Sequence, residues 1–188
     1  MVAIEIDPLQ LRKLDRTFGY FNKNVPKVLS MSINRALNKG RTEVRREIRK
    51  EYVIKQKDIP IAVYGATPTH LGGKIELRDT MMDLNKFKVT PRSVQRWRGR
   101  RPIHAQVRVH GGGNISYAFM TRLRYPGPYK RVGPERLPIK KLLSISAPIM
   151  ASQPKVGPVA NKAMGDTLAK EIDRHIKRVM SSAGGHHL

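Results

Sequence analysis

Between Thr90 and Pro102 the chain carries Arg92, Arg96, Arg98, Arg100 and Arg101 around Trp97, its one tryptophan, with no acid among them. Arginine forks onto phosphate oxygens, and an indole stacks on bases or on guanidinium planes. The segment is therefore a candidate polyanion contact. The plainer alternative is a loop that stays mobile or meets an acidic protein partner. A second set of cations, Arg35, Lys39 and Arg46, sits where the sequence predicts the polar face of a long helix. There, interleaved Glu43, Glu47 and Glu51 offer i,i+3 and i,i+4 partners that would neutralise the charge locally. That helix is either an ordinary solvated face or a cation-bearing one turned to DNA or an acidic partner.

Other groupings carry less. Asp79 and Asp83 are four apart and would share a helical face, as a two-metal nuclease requires, but no third ligand accompanies them. His104 and His110 lie six apart on the polar side of one expected strand, too far for one metal, and the tail pair His186–His187 lacks a third ligand. The serines show no nucleophile elbow, and Gly111-Gly112-Gly113 does not lead into a helix with Lys-Ser/Thr, so it is no phosphate loop. An enzyme is the least supported class, with no catalytic residue, metal or cofactor expected.

Composition bounds the rest. The 188 residues hold 37 Lys and Arg against 14 Asp and Glu, a formal charge of +23. Like charges oppose compaction, so this balance points to a polyanionic or acidic partner. With no cysteine, there is no disulfide scaffold, thiol nucleophile or thiolate metal site. No apolar run approaches the ~20 residues of a bilayer span. The first residues, Met1 to Asp7, lack the basic and apolar regions of a secretory signal. A cytosol-like, reducing compartment is expected. The 39% hydrophobic content is periodic in two stretches, which argues against full disorder.

The elements that must position these residues follow from spacing. Asp7-Pro8 opens an expected helix through Phe21, with Asp7 as N-cap and Pro8 at the first helical position. Val25, Leu29, Ile33, Leu37, Gly40, Val44, Ile48 and Tyr52 repeat mostly every four residues and predict a long amphipathic helix. A short helix is expected from Lys55, with Ile59, Ala62 and Val63 as its apolar side. Gly65 to Lys74 is expected as a loop, and Ile75–Leu77 and Phe87–Val89 as short strands. Ile103 to His110 alternates as a half-buried strand, Gly111-Gly112-Gly113-Asn114 signals a hairpin turn, and Ile115–Arg124 is the expected partner. Tyr129–Val132 and Pro138–Ser144 are further strands, and Pro154–Pro158 a linker. A last helix is expected over about 159–180, on Ala160, Ala163, Met164, Leu168, Ile172, Ile176 and Val179. The sum is a single α+β domain over 1–180: long N-terminal helices, a small antiparallel meander, and a long C-terminal helix. A flexible basic region is expected around 65–101, and a disordered tail over 181–188.

Ser32-Ile33-Asn34-Arg35-Ala36-Leu37-Asn38, running into Arg41 to Tyr52 and Ile54-Lys55-Gln56-Lys57-Asp58-Ile59, resembles the opening of the prophage minor tail protein Z family of tailed bacteriophages. Tyr129-Lys130-Arg131-Val132-Gly133-Pro134-Glu135-Arg136-Leu137-Pro138-Ile139 is similar to that family's aromatic-x-Arg-Val-Gly…Arg-Leu-Pro-Ile strand pair. Where the family has a Gly-Pro-Ser segment, Ser146-Ala147-Pro148 stands here, and the region between Gly65 and Gly99 matches poorly. The resemblance implies a virion structural protein of the tail–neck joint, acting in tail completion beside the tail terminator, tail tube and neck proteins. It implies no catalytic residues. On that reading the chain forms a homo-oligomeric ring, taken as a hexamer, closed by heterologous contacts. It would assemble in the host cytoplasm, with basic residues near the genome DNA and no membrane partner. The alternative is a stand-alone nucleic-acid-binding protein using non-specific phosphate contacts.

Overall fold

The computed structural model describes residues 3–5, 25–94 and 101–183. The expected helix from Asp7 to Phe21 lies outside them. The long helix predicted from the apolar repeat is α1, Val25–Glu51. Pro26 occupies its first turn, where the missing N–H has no intrahelical partner to lose. Leu29, Ile33, Leu37, Val44 and Ile48 are all buried along it, as is Tyr52 just beyond, while Arg35, Lys39, Arg46, Arg49 and Lys50 are exposed. The chain closes with α2, Ala147–Ala151, and α3, Val156–Ala183. Among the described residues, ten of the eleven short strands run between α1 and α2, and β1, Ala3–Glu5, precedes them. The class is α+β.

The strands form four small antiparallel sheets, not one meander. The first, ordered β1-β3-β2, joins Ala3–Glu5, Lys74–Leu77 and Ile61–Tyr64. In the second, β5 (Lys88–Thr90), β6 (Ile103–Gln106) and β7 (Gly113–Ile115) lie in sequence order. A third joins β8 (Ala118–Thr121), β9 (Gly127–Arg131) and β10 (Ile139–Lys141). The last pairs β4 (Met81–Asp83) with β11 (Leu143–Ser146).

Several expectations are corrected. The short helix on Ile59, Ala62 and Val63 is instead a 3-10 turn, Gln56–Asp58, followed by strand β2. Pro60 stops helical continuation, and Ile61, Val63 and Tyr64 are β-formers. The partner of the Ile103 strand divides at Ser116-Tyr117: β7 pairs with β6, but β8 pairs with β9. Tyr117 takes φ 61° there, which turns the chain out of the β5–β6–β7 sheet. The expected strand to His110 stops at Gln106, because the next backbone groups bond elsewhere. Val53 N–H donates to the Val107 carbonyl, and Val109 N–H to that of Glu51. The expected strand over 138–144 is two strands in two sheets, β10 and β11. Pro154–Pro158 is not all linker, since α3 starts at Val156 with Pro158 in its first turn. The region around 65–101 holds β3, β4 and β5, so an irregular chain describes only part of it. The final helix reaches Ala183, within the tail expected from 181, and 184–188 lie outside the described residues.

The chain divides into two compact units. One comprises Met1–Val44, Ile61–Leu77 and Ala151–Leu188; the other comprises Arg45–Pro60 and Arg78–Met150. In the first unit a Cβ on Gly40 of α1 would come within 2.5 Å of Met164 Cγ and Sδ on α3, a close approach that only glycine permits without movement. Asn34, in the Ser-Ile-Asn-Arg-Ala motif, brackets a neighbouring backbone. Its Nδ2 donates to the Ala66 carbonyl at 2.9 Å, and its Oδ1 accepts from Ala66 N–H at 2.7 Å. The side-chain amide thus replaces one rung of strand pairing. In the second unit Ile54, Ile59, Leu84, Phe87, Val89 and Ile103 are buried together with Ile48 and Tyr52.

Candidate functional site

The cations singled out in the sequence fall into two groups. Arg92 follows β5 and Arg101 precedes β6, and the two strands pair with Thr90 opposite His104. The two described ends of the arginine segment therefore lie at the same end of one strand pair, and both flanking arginines are exposed. Arg96, Trp97, Arg98 and Arg100 lie outside the described residues. On α1, Arg35 bonds Glu171 of α3, and Lys39 pairs with Glu43 at 2.9 Å. Arg46 is exposed on the same helix. Arg35 and Lys39 thus share their charge with acids of their own unit: Lys39 with an interleaved glutamate, and Arg35 with a glutamate of another helix that the α1 spacing did not indicate.

Glu171 gathers more than Arg35. Arg174 Nη1 lies 3.7 Å away, and His175 Nε2 lies 4.0 Å away. His175 is 8% exposed, and its Nε2 makes no hydrogen bond. Burial holds its pKa below the ordinary imidazole value, and Arg178, Arg35 and Arg174 push the same way against Glu171. The imidazole is therefore neutral near pH 7, a packed residue within a charged cluster. The sequence placed this histidine in the helix without marking it, since one histidine in an apolar stripe carries no spacing signal.

The carboxylate pair considered for metal chemistry is apart and committed. Asp83 ends β4 and accepts from Lys141 at 2.8 Å, whereas Asp79 is exposed in the preceding turn, and no helix joins them. His104 is exposed on β6, with Nδ1 3.3 Å from Asn114 Oδ1, and His110 is exposed in the connection to β7. Among the described residues no three His, Asp or Glu side chains converge, and no helix is long and apolar enough to cross a membrane.

The surface that spacing did not isolate is the β8–β9–β10 sheet. Between residues 122 and 141 stand Arg122, Arg124, Lys130, Arg131, Arg136, Lys140 and Lys141 against one acid, Glu135. Apolar side chains are exposed among them: Tyr117 at 84%, Val132 at 67%, Leu137 at 66%, and Leu123 and Tyr125 about as open. Arg124 and Lys141 lie 5.7 and 5.6 Å from the centre of the Tyr125 ring, and Arg131 lies 5.7 Å from that of Phe119. Such contacts hold a cation against an aromatic face. The β9–β10 connection, Val132 to Pro138, is exposed throughout.

The antiparallel register sets Lys130 opposite Lys140, with Ala118 of β8 as the other neighbour of Lys130. Directly opposed residues project from the same face, so the two ammonium groups share it. A sequence signal existed in the seven-to-one excess of bases, but pairing, which makes it a site, depends on a register that two short strands and a seven-residue interval do not reveal.

Charge is divided unequally between the units. The second holds 22 basic and 6 acidic residues, a net +16, and the first holds 15 and 8, a net +7. The chain matches no family model, no curated protein and no solved structure.

Proposed function

We propose that this chain is a bacteriophage virion structural protein, a tail completion protein that forms a ring at the head-proximal end of the tail. The observation that carries the reading is the β9–β10 hairpin, which falls on the second block of family-like sequence. Its connection exposes Val132 and Leu137 beside Arg136, and Tyr117 stands uncovered at the same end of the sheet. Large apolar side chains left in water beside bases suit a surface that another protein covers on assembly. The first block, Ser32 to Tyr52, builds α1 and supports the protomer core instead.

In this reading α1, α3 and the sheets form the protomer. Exposed loops make heterologous contacts that close by rotation, as a hexamer or a ring of similar order. The charge excess of the second unit is offset by acidic neighbours in the tail tube, terminator or neck, and by packaged DNA. A cryo-EM map of intact particles tests this. The expected result is density for this chain as a closed ring between tail tube and head connector, with the Val132–Pro138 connection inside a protein contact. Particles that lack the chain would overturn the reading. A second reading, a nucleic-acid-binding protein acting without the particle, draws on the net +16 of the second unit and predicts that the chain is found on host DNA or RNA instead.

A further inference from the structure

We infer that Lys130 and Lys140, opposed across β9 and β10, form a contact for the phosphate backbone of a nucleic acid. Three observations carry this. First, the register makes them direct cross-strand neighbours on one face, where Cβ atoms are about 4.5–5.5 Å apart and like charges repel. Opposite-charge pairs are the stabilising choice at such a position, so the pair works against the sheet that holds it. Second, both side chains are exposed, and among the described residues neither has a carboxylate within 4.0 Å. The nearby Lys141, one residue along and on the other face, shows the contrast: it is paired with Asp83. Third, the unit that carries them holds the larger charge excess, net +16.

A single phosphate oxygen placed between two ammonium groups relieves their repulsion and makes two charge-assisted hydrogen bonds. Both lysines are exposed at the end of the sheet nearest the β9–β10 connection, which suits one contact among many along a polymer better than capture of a small phosphate. The field of the whole unit then adds to each local contact, as in sequence-independent backbone binding. Arg136, exposed in the connection that follows β9, extends the cationic surface. The site deepens the DNA-proximal part of the proposed function and rests on that reading only for which nucleic acid is met.

The test is fluorescence anisotropy of the full chain with a labelled mixed-sequence 30-base-pair duplex, and with one of its strands, across a salt series. Lys130→Gln/Lys140→Gln is compared with Lys162→Gln/Lys170→Gln, which removes the same charge from exposed positions of α3 in the other unit. For the sheet variant, the expected result with either probe is about a tenfold weaker Kd and a salt slope smaller by about 2. The α3 variant should change far less. Equal losses for the two variants would reduce the effect to net charge and overturn the site, as would a sheet variant that binds like the unmodified chain. Binding of polyglutamate in preference to both nucleic acids, with the same dependence on the lysine pair, would assign the face to an acidic protein and also overturn the inference. Circular dichroism confirms that both variants fold. Incorporation into particles is scored separately: a sheet variant that enters particles but binds nucleic acid more weakly supports the lysine site and leaves the ring intact, whereas an unmodified chain that binds nucleic acid but is absent from particles overturns the ring and leaves the site standing.

Discussion

The two compact units treat charge in opposite ways. In the first, bases and acids meet: Arg35 and Arg174 flank Glu171, Lys39 pairs with Glu43, and Lys74 lies 3.9 Å from Glu76. In the second, Lys50 and Lys141 have carboxylate partners, but Lys130, Lys140 and the exposed Arg122 and Arg136 stand in a stretch with one acid. The first unit is organised for its own packing, with two long helices at a glycine contact. The second carries short strands, exposed apolar side chains and a surplus of cations. Ion pairs run within and between the helices of the first unit, whereas the β8–β10 stretch of the second keeps a surplus of exposed cations.

The comparison is most sharply tested where burial is complete. Leu37 is fully buried in the first unit, and a Cβ on Gly73 would meet its Cδ1 at 2.4 Å, so the space around it is filled. Leu37→Ala should lower stability by about 2–5 kcal/mol, read from urea unfolding. A loss under about 1 kcal/mol would mean that the first unit is not the tightly packed one.

Asn34→Ala is next. It removes both hydrogen bonds to Ala66 and leaves a backbone donor and acceptor without partners, at a cost of about 1–3 kcal/mol. Asn34→Asp keeps the acceptor but not the donor and should fall between. If all three proteins melt together, the motif asparagine serves something other than the fold.

These two residues also show what the sequence could and could not reveal. Leu37 was legible because a helix repeats its buried face every three or four residues, and that period persists for the whole of α1. Asn34 was visible as part of a motif, yet its role was not, because its partner Ala66 lies 32 residues away in a loop without periodicity. The same physics divides the sheets. Strands of three to five residues hold only one or two alternations, so the split between β7 and β8, and between β10 and β11, depends on tertiary pairing. Proline misled once: Pro154–Pro158 is read as a linker from the sequence, although Pro158 lies in the first turn of α3, as Pro26 does in α1. The arginine segment was plain from composition. The lysine pair needed a register.

A direct contrast between the units follows from single charges. Arg35→Gln strips a partner from the half-buried Glu171 and should cost about 1 kcal/mol. Lys130→Gln removes a repelled, exposed charge and should leave stability within about 0.5 kcal/mol, or raise it. The reverse order would erase the distinction between the paired Arg35 and the exposed Lys130.

His175 gives the first unit a pH dependence. Its folded pKa lies below the ordinary imidazole value of 6.5, so the unfolded chain takes up the proton first as pH falls. The stabilisation is complete above that value and is lost as pH drops through the folded pKa. Thermal melts at about pH 7.5 and 5.5 should show a lower midpoint at the acid end, and His175→Gln should shrink the difference. An unchanged difference in the variant would place the acid sensitivity elsewhere.

The smallest effect belongs to Tyr117, where the second unit sets local strain against exposure. At φ 61° a side chain with a Cβ is uncommon, and asparagine tolerates this region better than tyrosine. The ring is 84% exposed, so burial gives little in return within the chain. Tyr117→Asn should therefore gain a few tenths of a kcal/mol, up to about 1, in isolated protein. In assembled particles the same substitution removes an aromatic from a surface proposed to be covered, and incorporation should fall. A variant that is more stable alone and less well incorporated would show that the residue is kept for a partner against the interest of the fold. A variant that loses stability alone would show instead that the ring is held by its own chain, and the contrast between the units would fail at the point where it is most exposed.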